Sequence, residues 1–376
     1  MSSQQIQECS QCLLNTKDTS YISFDDNGVC SYCQSYKHKV FSLGSANEKS
    51  DYLKTKINEI KLHGKGKKFD CLLGLSGGVD SSYMAFLAHE LGLKPLVIHL
   101  DNGWNSEIAV KNIEKICEKF GFELYTYVID WEEFVGLQKA YLKAGVVDIE
   151  VLTDHAIYAI LNKLSYKFKI KYTLSGFNYE TEAIMPKGWT YSKRDFLNIK
   201  DIVAKYGEEV KFKTYPYINF YKALFYYWFL KLETFELLNF VEYDKETAKK
   251  TLISEIGWTD YGGKHYESVF TKFYQSYILP VKFGIDKRRA HLSNQICAQK
   301  ISKKQANQIL ETKPFDEQLI SMERDYILKK FSLSEKEFEK IMQEKPRPHS
   351  EFDTDQRLWN RYFSLINKIK FWKKRY

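Results

Sequence analysis

A chain of 376 residues with 44% hydrophobic and 16% aromatic side chains has room for one large or two moderate domains, and that apolar content excludes an intrinsically disordered protein. The formal charge of +8 is only a mild basic excess, and much of it lies in one stretch, "KIKFWKKRY" at 368–376. Such a stretch reads as a solvated end, with nucleic acid, an acidic membrane surface or an acidic partner as alternatives. No internal repeat or low-complexity segment is present.

In chain order, the cysteines come first. Met1 is followed by a polar stretch, which predicts no export signal and a cytoplasmic protein, so disulfides are not expected. Cys9, Cys12, Cys30 and Cys33 form two C-x2-C pairs separated by seventeen residues, the spacing of a four-thiolate zinc ribbon over residues 1–40. Four protein ligands leave no open position, so this Zn²⁺ is expected to be structural. Residues 41–68, rich in Lys, Gly and Ser, read as a helical connector. Cys71, Cys117 and Cys297 read as core residues.

From residue 69 the text alternates between strand and helix. Leu72, Leu73 and Leu75 end a buried strand, and Met84, Ala85, Leu87 and Ala88 recur at helical spacing. Three further strands follow with helix-length segments between them: "PLVIHLDNG" (95–103), "ELYTYVID" (123–130) and "KYTLSGFN" (171–178). Between the first strand and its helix lies "SGGVDSS" (76–82). Backbone N–H groups at a helix N-terminus lack intrahelical partners and attract anions. Gly77 and Gly78 permit positive φ and close approach of main chain to ligand, and Ser76, Ser81 and Ser82 add hydroxyl donors. The loop therefore reads as a phosphate cradle, though not a Walker one, because no lysine follows the glycines.

Ser76-Gly77-Gly78-Val79-Asp80-Ser81 resembles the S-G-G-x-D-S pyrophosphate loop of the ATP pyrophosphatases, also called PP-loop enzymes. The resemblance implies a doubly wound parallel α/β sheet over 69–214, with ATP held beyond the carboxyl ends of the strands. It also implies that Asp101, ending the second strand, meets adenine or ribose. Ser175 to Glu182 is similar to the G-T-x-N-x-S-E segment of the NAD synthetases, which implies that Asp80 and Glu182 share Mg²⁺ near Gly176. Asn178 stands one place off that pattern, so Glu180 competes with Glu182 for the role.

The second half, 215–376, is expected to be a mostly helical substrate or partner domain. It opens with "YPYINFYKALFYYWFLKL" (215–232), interrupted by Lys222 and Lys231 and too short for a membrane span. This reads as a buried or interface helix, with peripheral membrane contact as the alternative. Further on, residues 255–306 combine a Gly-Gly turn, aromatic-rich helical text and Lys287-Arg288-Arg289. Together with the zinc ribbon and the pyrophosphate loop, this resembles the N-acetyl sugar amidotransferases of bacterial surface-polysaccharide and nonulosonate biosynthesis, across essentially the whole chain.

That resemblance implies conversion of a sugar N-acetyl group to N-acetamidino in lipopolysaccharide O-antigen or related glycan synthesis, using ATP and ammonia. Lys287 and Arg288 are candidates to clamp phosphate. The pair Asp154-His155 is placed on the nucleotide side, where His155 would meet sugar or ammonia, the alternative being a capping Asp and a surface His. The chain shows no glutaminase nucleophile: position 2 is Ser, and no cysteine sits in a Gly-x-Cys-x-Gly elbow. Ammonia is then expected from elsewhere, and the resemblance implies a class I glutaminase and a cyclase-like barrel subunit as the partners that deliver it, with the ribbon and 215–232 as docking surfaces. Two other readings stay open: a PP-loop tRNA-modifying enzyme, against which the missing thiolase cysteines speak, and a nucleotide-binding scaffold without activity.

Overall fold

The computed structural model describes residues 6–208, 210–262 and 267–373. Five parallel strands, β1 (Cys71–Gly74), β2 (Pro95–Asp101), β3 (Glu123–Val128), β4 (Tyr172–Leu174) and β5 (Glu233–Phe235), form one sheet in the order β3-β2-β1-β4-β5. The order reverses at β1, so the crevice past the carboxyl ends of β1 and β4 is the topological switch point. This is the expected doubly wound architecture. One strand was not anticipated: β5 lies beyond residue 214, so the sheet draws on the segment assigned to the helical half.

Helices α1 (Ser31–Ser42) and α2 (Ala46–Gly64) precede the sheet. Then α3 (Val79–Glu90), α4 (Glu107–Phe120), α5 (Trp131–Ala144), α6 (Val151–Phe168), α7 (Tyr179–Glu182), α8 (Phe196–Tyr206), α9 (Phe220–Phe229) and α10 (Lys245–Ile256) follow the strands or the loops between them. Side chains alternate across the pleat. Cys71, Leu73 and Val97 pack on α2, α3, α4 and α10, whereas Leu72, Leu96 and Ile98 pack on Ile160 and Leu164 of α6. Buried on both faces, these strands read as continuous apolar runs.

Helices α11 (Val269–Phe273), α12 (Leu279–Phe283), α13 (Lys287–Cys297), α14 (Lys303–Glu311), α15 (Glu317–Phe331), α16 (Glu335–Gln343) and α17 (Gln356–Lys373) complete the chain. A π-helical turn, Tyr274–Ile278, joins α11 to α12. Phe273, Phe331 and Phe338 meet Phe134, Tyr141 and Ile199 of α5 and α8 in a second core. The two halves are stitched at the switch point: Ser106 N–H donates to Glu267 O (2.9 Å) and Val269 N–H to Trp104 O (3.0 Å).

The ribbon docks on α7 and α13. Ile184 enters its cysteine core, and Asn294 clamps the Ile184 backbone, its Oδ1 accepting from Ile184 N–H (2.9 Å) while its Nδ2 donates to Ile184 O (3.2 Å).

Candidate active site

The β1–α3 loop folds on itself. The Ser76 and Ser81 hydroxyls lie 3.1 Å apart, Gly78 N–H donates to Ser76 Oγ (3.3 Å), and Ser81 Oγ donates to Gly78 O (3.2 Å). Gly77 takes φ +80°, and a Cβ there would lie 2.5 Å from Ala109 O, so only glycine fits. Trp258 Nε1 donates to Gly77 O (3.1 Å) and fixes the turn from the far half. At Gly176 a Cβ would stand 3.4 Å from Ser81 N, so β4 passes close to the start of α3.

Beside the loop lies a small cavity of about 190 Å³, lined by Ser76, Gly78, Asp80, Ser81, Gly176, Glu182, Lys245, Tyr261 and Glu267. The predicted Asp80 and Glu182 do share one site. Glu180 does not line it: its carboxylate faces Lys300 (3.5 Å), and burial raises its pKa above the usual carboxylate range. The Tyr243 hydroxyl donates to Asp80 Oδ1, and burial together with that carboxylate holds the phenol protonated. The Tyr261 hydroxyl crowds the loop, 3.1 Å from where a Cβ on Gly78 would stand, and burial raises its pKa. Carboxylates and hydroxyls are the hard oxygen donors that Mg²⁺ prefers, with phosphate oxygens completing its shell. Among the described residues the carboxylates here do not form a preassembled three-ligand group.

The cavity opens into a larger cleft of about 670 Å³. One wall is the sheet edge with Leu75, His99, Leu100 and Asn102; another is α6 with Thr153, Asp154 and Ile157; the third is the second half, with Ser268, Thr271, Gln275, Lys287 and His291. Lys287 sits in the cleft with its ammonium 3.1 Å from Glu150, which also accepts from Gln275 (3.0 Å). The π-helical turn carries Gln275 into this wall. Lys193 reaches in from an irregular segment and pairs with Asp148 (2.6 Å) and Asp154 (3.1 Å). Burial lowers the pKa of His99, whose ring nitrogens are bonded to Leu75 O (3.1 Å) and Asn105 Nδ2 (3.2 Å).

Several predicted residues lie elsewhere. Ser82 is fully buried, its hydroxyl in the core rather than in the cradle. Asp101 caps its own turn, accepting from Gly103 N–H (2.9 Å) and Asn105 Nδ2 (3.3 Å), and it is the neighbouring Asn102 that faces the cleft. Arg288 is spent on Asp286 (2.7 Å) and the Thr312 carbonyl (3.0 Å), and Arg289 pairs with Asp18 of the ribbon (2.9 Å). His155 is neither a surface nor a cleft residue. Its Nδ1 donates to Lys193 O (2.9 Å), its Nε2 accepts from Ile218 N–H (3.2 Å), and burial pushes its pKa down to about 4. Gly263 of the Gly-Gly turn, Ser2 and the terminal residues 374–376 lie outside the described residues.

Away from the cleft, Cys9, Cys12, Cys30 and Cys33 bring four buried Sγ atoms within 4.8 Å of one another. The Cys9–Cys33 and Cys12–Cys30 separations of 3.9 and 3.7 Å fit a tetrahedron with Zn–S bonds of about 2.3 Å. The predicted ribbon thus has the geometry of a zinc site. Cys297, expected in the core, is half-buried with its sulfur 3.5 Å from Cys33 Sγ.

Residues 267–369 match the family described as "LPS biosynthesis protein WbpG-like, C-terminal domain". Over 64 residues, 16% of this chain and 20% of the relative, the sequence is 38% identical to tRNA(Ile)-lysidine synthase of Chlamydia pneumoniae. Similar solved structures include NMN synthetase from Francisella tularensis, with 20% identity, a TM-score of 0.29, and coverage of 36% of this chain and 56% of that one. NH3-dependent NAD synthetase from Campylobacter jejuni gives 16%, 0.28, 36% and 58%. Glutamine-dependent NAD+ synthetase from Acinetobacter baumannii gives 16%, 0.29, 77% and 47%. The chain therefore spans 20% of the curated relative and 47% to 58% of these structures.

Proposed function

We propose, from the premise that this chain is a PP-loop protein carrying the C-terminal domain of the WbpG-like lipopolysaccharide-biosynthesis family, that it is an ATP-dependent amidotransferase converting a sugar N-acetyl group to N-acetamidino. The observation that carries this reading is the composition of the cleft: the pyrophosphate loop forms one end and the WbpG-like domain supplies a whole wall through Ser268, Thr271, Gln275, Lys287 and His291.

The chemistry is set by the acceptor. An amide carbon is a poor electrophile with a poor leaving group, so its oxygen first attacks the α-phosphorus of ATP, giving an O-adenylated imidate and pyrophosphate. Ammonia then adds at the imidate carbon and AMP departs, taking one ammonia proton and leaving the amidinium. No protein nucleophile is required, and catalysis rests on positioning and on charge neutralisation. In this reading Ser76, Ser81 and the N–H groups of the loop hold the pyrophosphate. Asp80 and Glu182 would hold Mg²⁺, which would neutralise the phosphate charge. Lys245 and Lys287 approach from the two sides to bind phosphate or the nucleotide of the sugar donor, and Asn102 and Thr153 offer hydrogen bonds to ribose or sugar.

In this reading ammonia comes from a separate class I glutaminase acting through a barrel subunit, in keeping with six cysteines buried in the ribbon or the cores and Cys297 set against the ribbon. The test is pyrophosphate release from ATP with ammonium chloride and a panel of nucleotide-linked N-acetylamino sugars. A sugar-dependent signal, with a product about 1 Da lighter as oxygen is exchanged for an imino NH, is the expected result. Silence across the panel with release on adding bulk tRNA would favour the second reading, a tRNA-modifying enzyme, which the local likeness to tRNA(Ile)-lysidine synthase motivates.

A further inference from the structure

We propose that the aromatic and basic face formed by α9 and α17 docks on an anionic membrane surface. Helix α9 has ten residues and buries only Ala223. Tyr221 and Phe229 are 75% and 72% exposed, and Tyr227 and Trp228 are more than half exposed, so the protein's own core does not account for this helix. Helix α17 lies beside it: Phe220 and Trp359 meet edge to face at 5.0 Å, and Phe363 and Leu365 are also exposed. Between them runs a groove of about 860 Å³.

Charge selects the occupant. Residues 215–232 and 356–376 together hold nine lysines and arginines and no aspartate or glutamate, whereas the whole chain has a net charge of +8. Among the described residues Lys222 and Lys231 are exposed beside the rings of α9, and Arg357 and Arg361 beside those of α17, so the face is basic as well as aromatic. Glu233, on the groove wall, is already neutralised by Lys56 (2.7 Å) and Lys171 (3.6 Å). Tryptophan and tyrosine favour the headgroup boundary, phenylalanine enters the acyl region, and lysines beside them attract anionic lipid. No described helix is long and apolar enough to cross a bilayer, so contact is along the surface. Leu161 of α6 lines both this groove and the cleft, which places the docking face next to the reaction chamber.

The test is co-sedimentation of the full chain with vesicles of phosphatidylcholine alone or mixed with phosphatidylglycerol, followed in parallel by tryptophan emission. Binding is expected only to the anionic vesicles and is expected to weaken as salt rises. The exposed pair Trp228→Ser with Phe229→Ser, and separately Lys222→Glu with Lys231→Glu, should each weaken it roughly tenfold while leaving the thermal midpoint unchanged. Failure to bind anionic vesicles overturns the proposal, as does binding that both double variants retain. Binding of bulk tRNA through the same residues, without vesicle binding, would reassign the face to nucleic acid.

Discussion

Gly77 carries the tightest requirement of any single position in the loop. Its φ of +80°, and the 2.5 Å that would separate a Cβ at this position from Ala109 O, mean that Gly77→Ala must displace main chain against α4. The expected cost is about 1–3 kcal/mol of stability with loss of ATP binding, read by denaturant unfolding and nucleotide titration; a variant with wild-type midpoint and affinity would show that the loop does not hold the nucleotide. The neighbouring carboxylates give a sharper contrast. Glu182→Gln should lower pyrophosphate release roughly 10²-fold, and Glu180→Gln less than about threefold, because only Glu182 faces Asp80 across the cavity. A reversed order would hand the metal role to Glu180. Sequence spacing alone left that pair undecided, since both fall within one turn of α7 and only the direction of the side chains separates them. It also gave no sign of Tyr243, Tyr261, Lys245 or Glu267, which reach Asp80 or its cavity from more than 160 residues away.

At the scale of elements, two buried histidines bind helices to loops in their neutral form. His155 ties α6 to the main chain at Lys193 and Ile218. His349 donates through Nδ1 to Asn198 Oδ1 of α8 (2.8 Å) and stacks on Tyr191 at 4.1 Å. Burial takes them to about 4 and about 3, below the ordinary value of 6.5. The unfolded chain therefore binds protons first as pH falls. Their contribution is complete above about pH 6.5 and is lost progressively towards pH 4, at up to about 1.4 kcal/mol per pH unit for each ring. Thermal midpoints measured across that window should fall, and more shallowly in His155→Gln, whose amide can donate to Lys193 O and accept from Ile218 N–H. An unchanged slope in that variant would clear His155. The sequence pointed to a helix here but opened it at Asp154, inside the first turn of α6 rather than at its Val151 start, and it did not show the burial of His155, which depends on the 215–218 segment folding over it.

For the molecule as a whole, the first four strands and the cysteine tetrad were legible because each is a local pattern: an apolar run between turns, or a fixed spacing. β5 escaped because three residues carry no periodicity, and they become a strand only by pairing with β4. The ribbon is bound to the body by Arg289–Asp18, by Asn294 and by Ile184. Removing zinc with a chelator should therefore lower the thermal midpoint of the entire chain by more than about 5 °C, rather than melt a separate module. Metal analysis finding no zinc, together with an unmoved midpoint, would overturn the assignment. Helix α13 gives this coupling a direction, for it begins with Lys287 in the cleft and ends with Cys297 against Cys33. Eleven residues make a rod of about 16 Å, short and stiff enough that a shift at one end is felt at the other. A preparation partly stripped of its metal would then behave as a mixture of sound and misaligned catalysts, and a spread in specific activity between batches should track the zinc content of each batch.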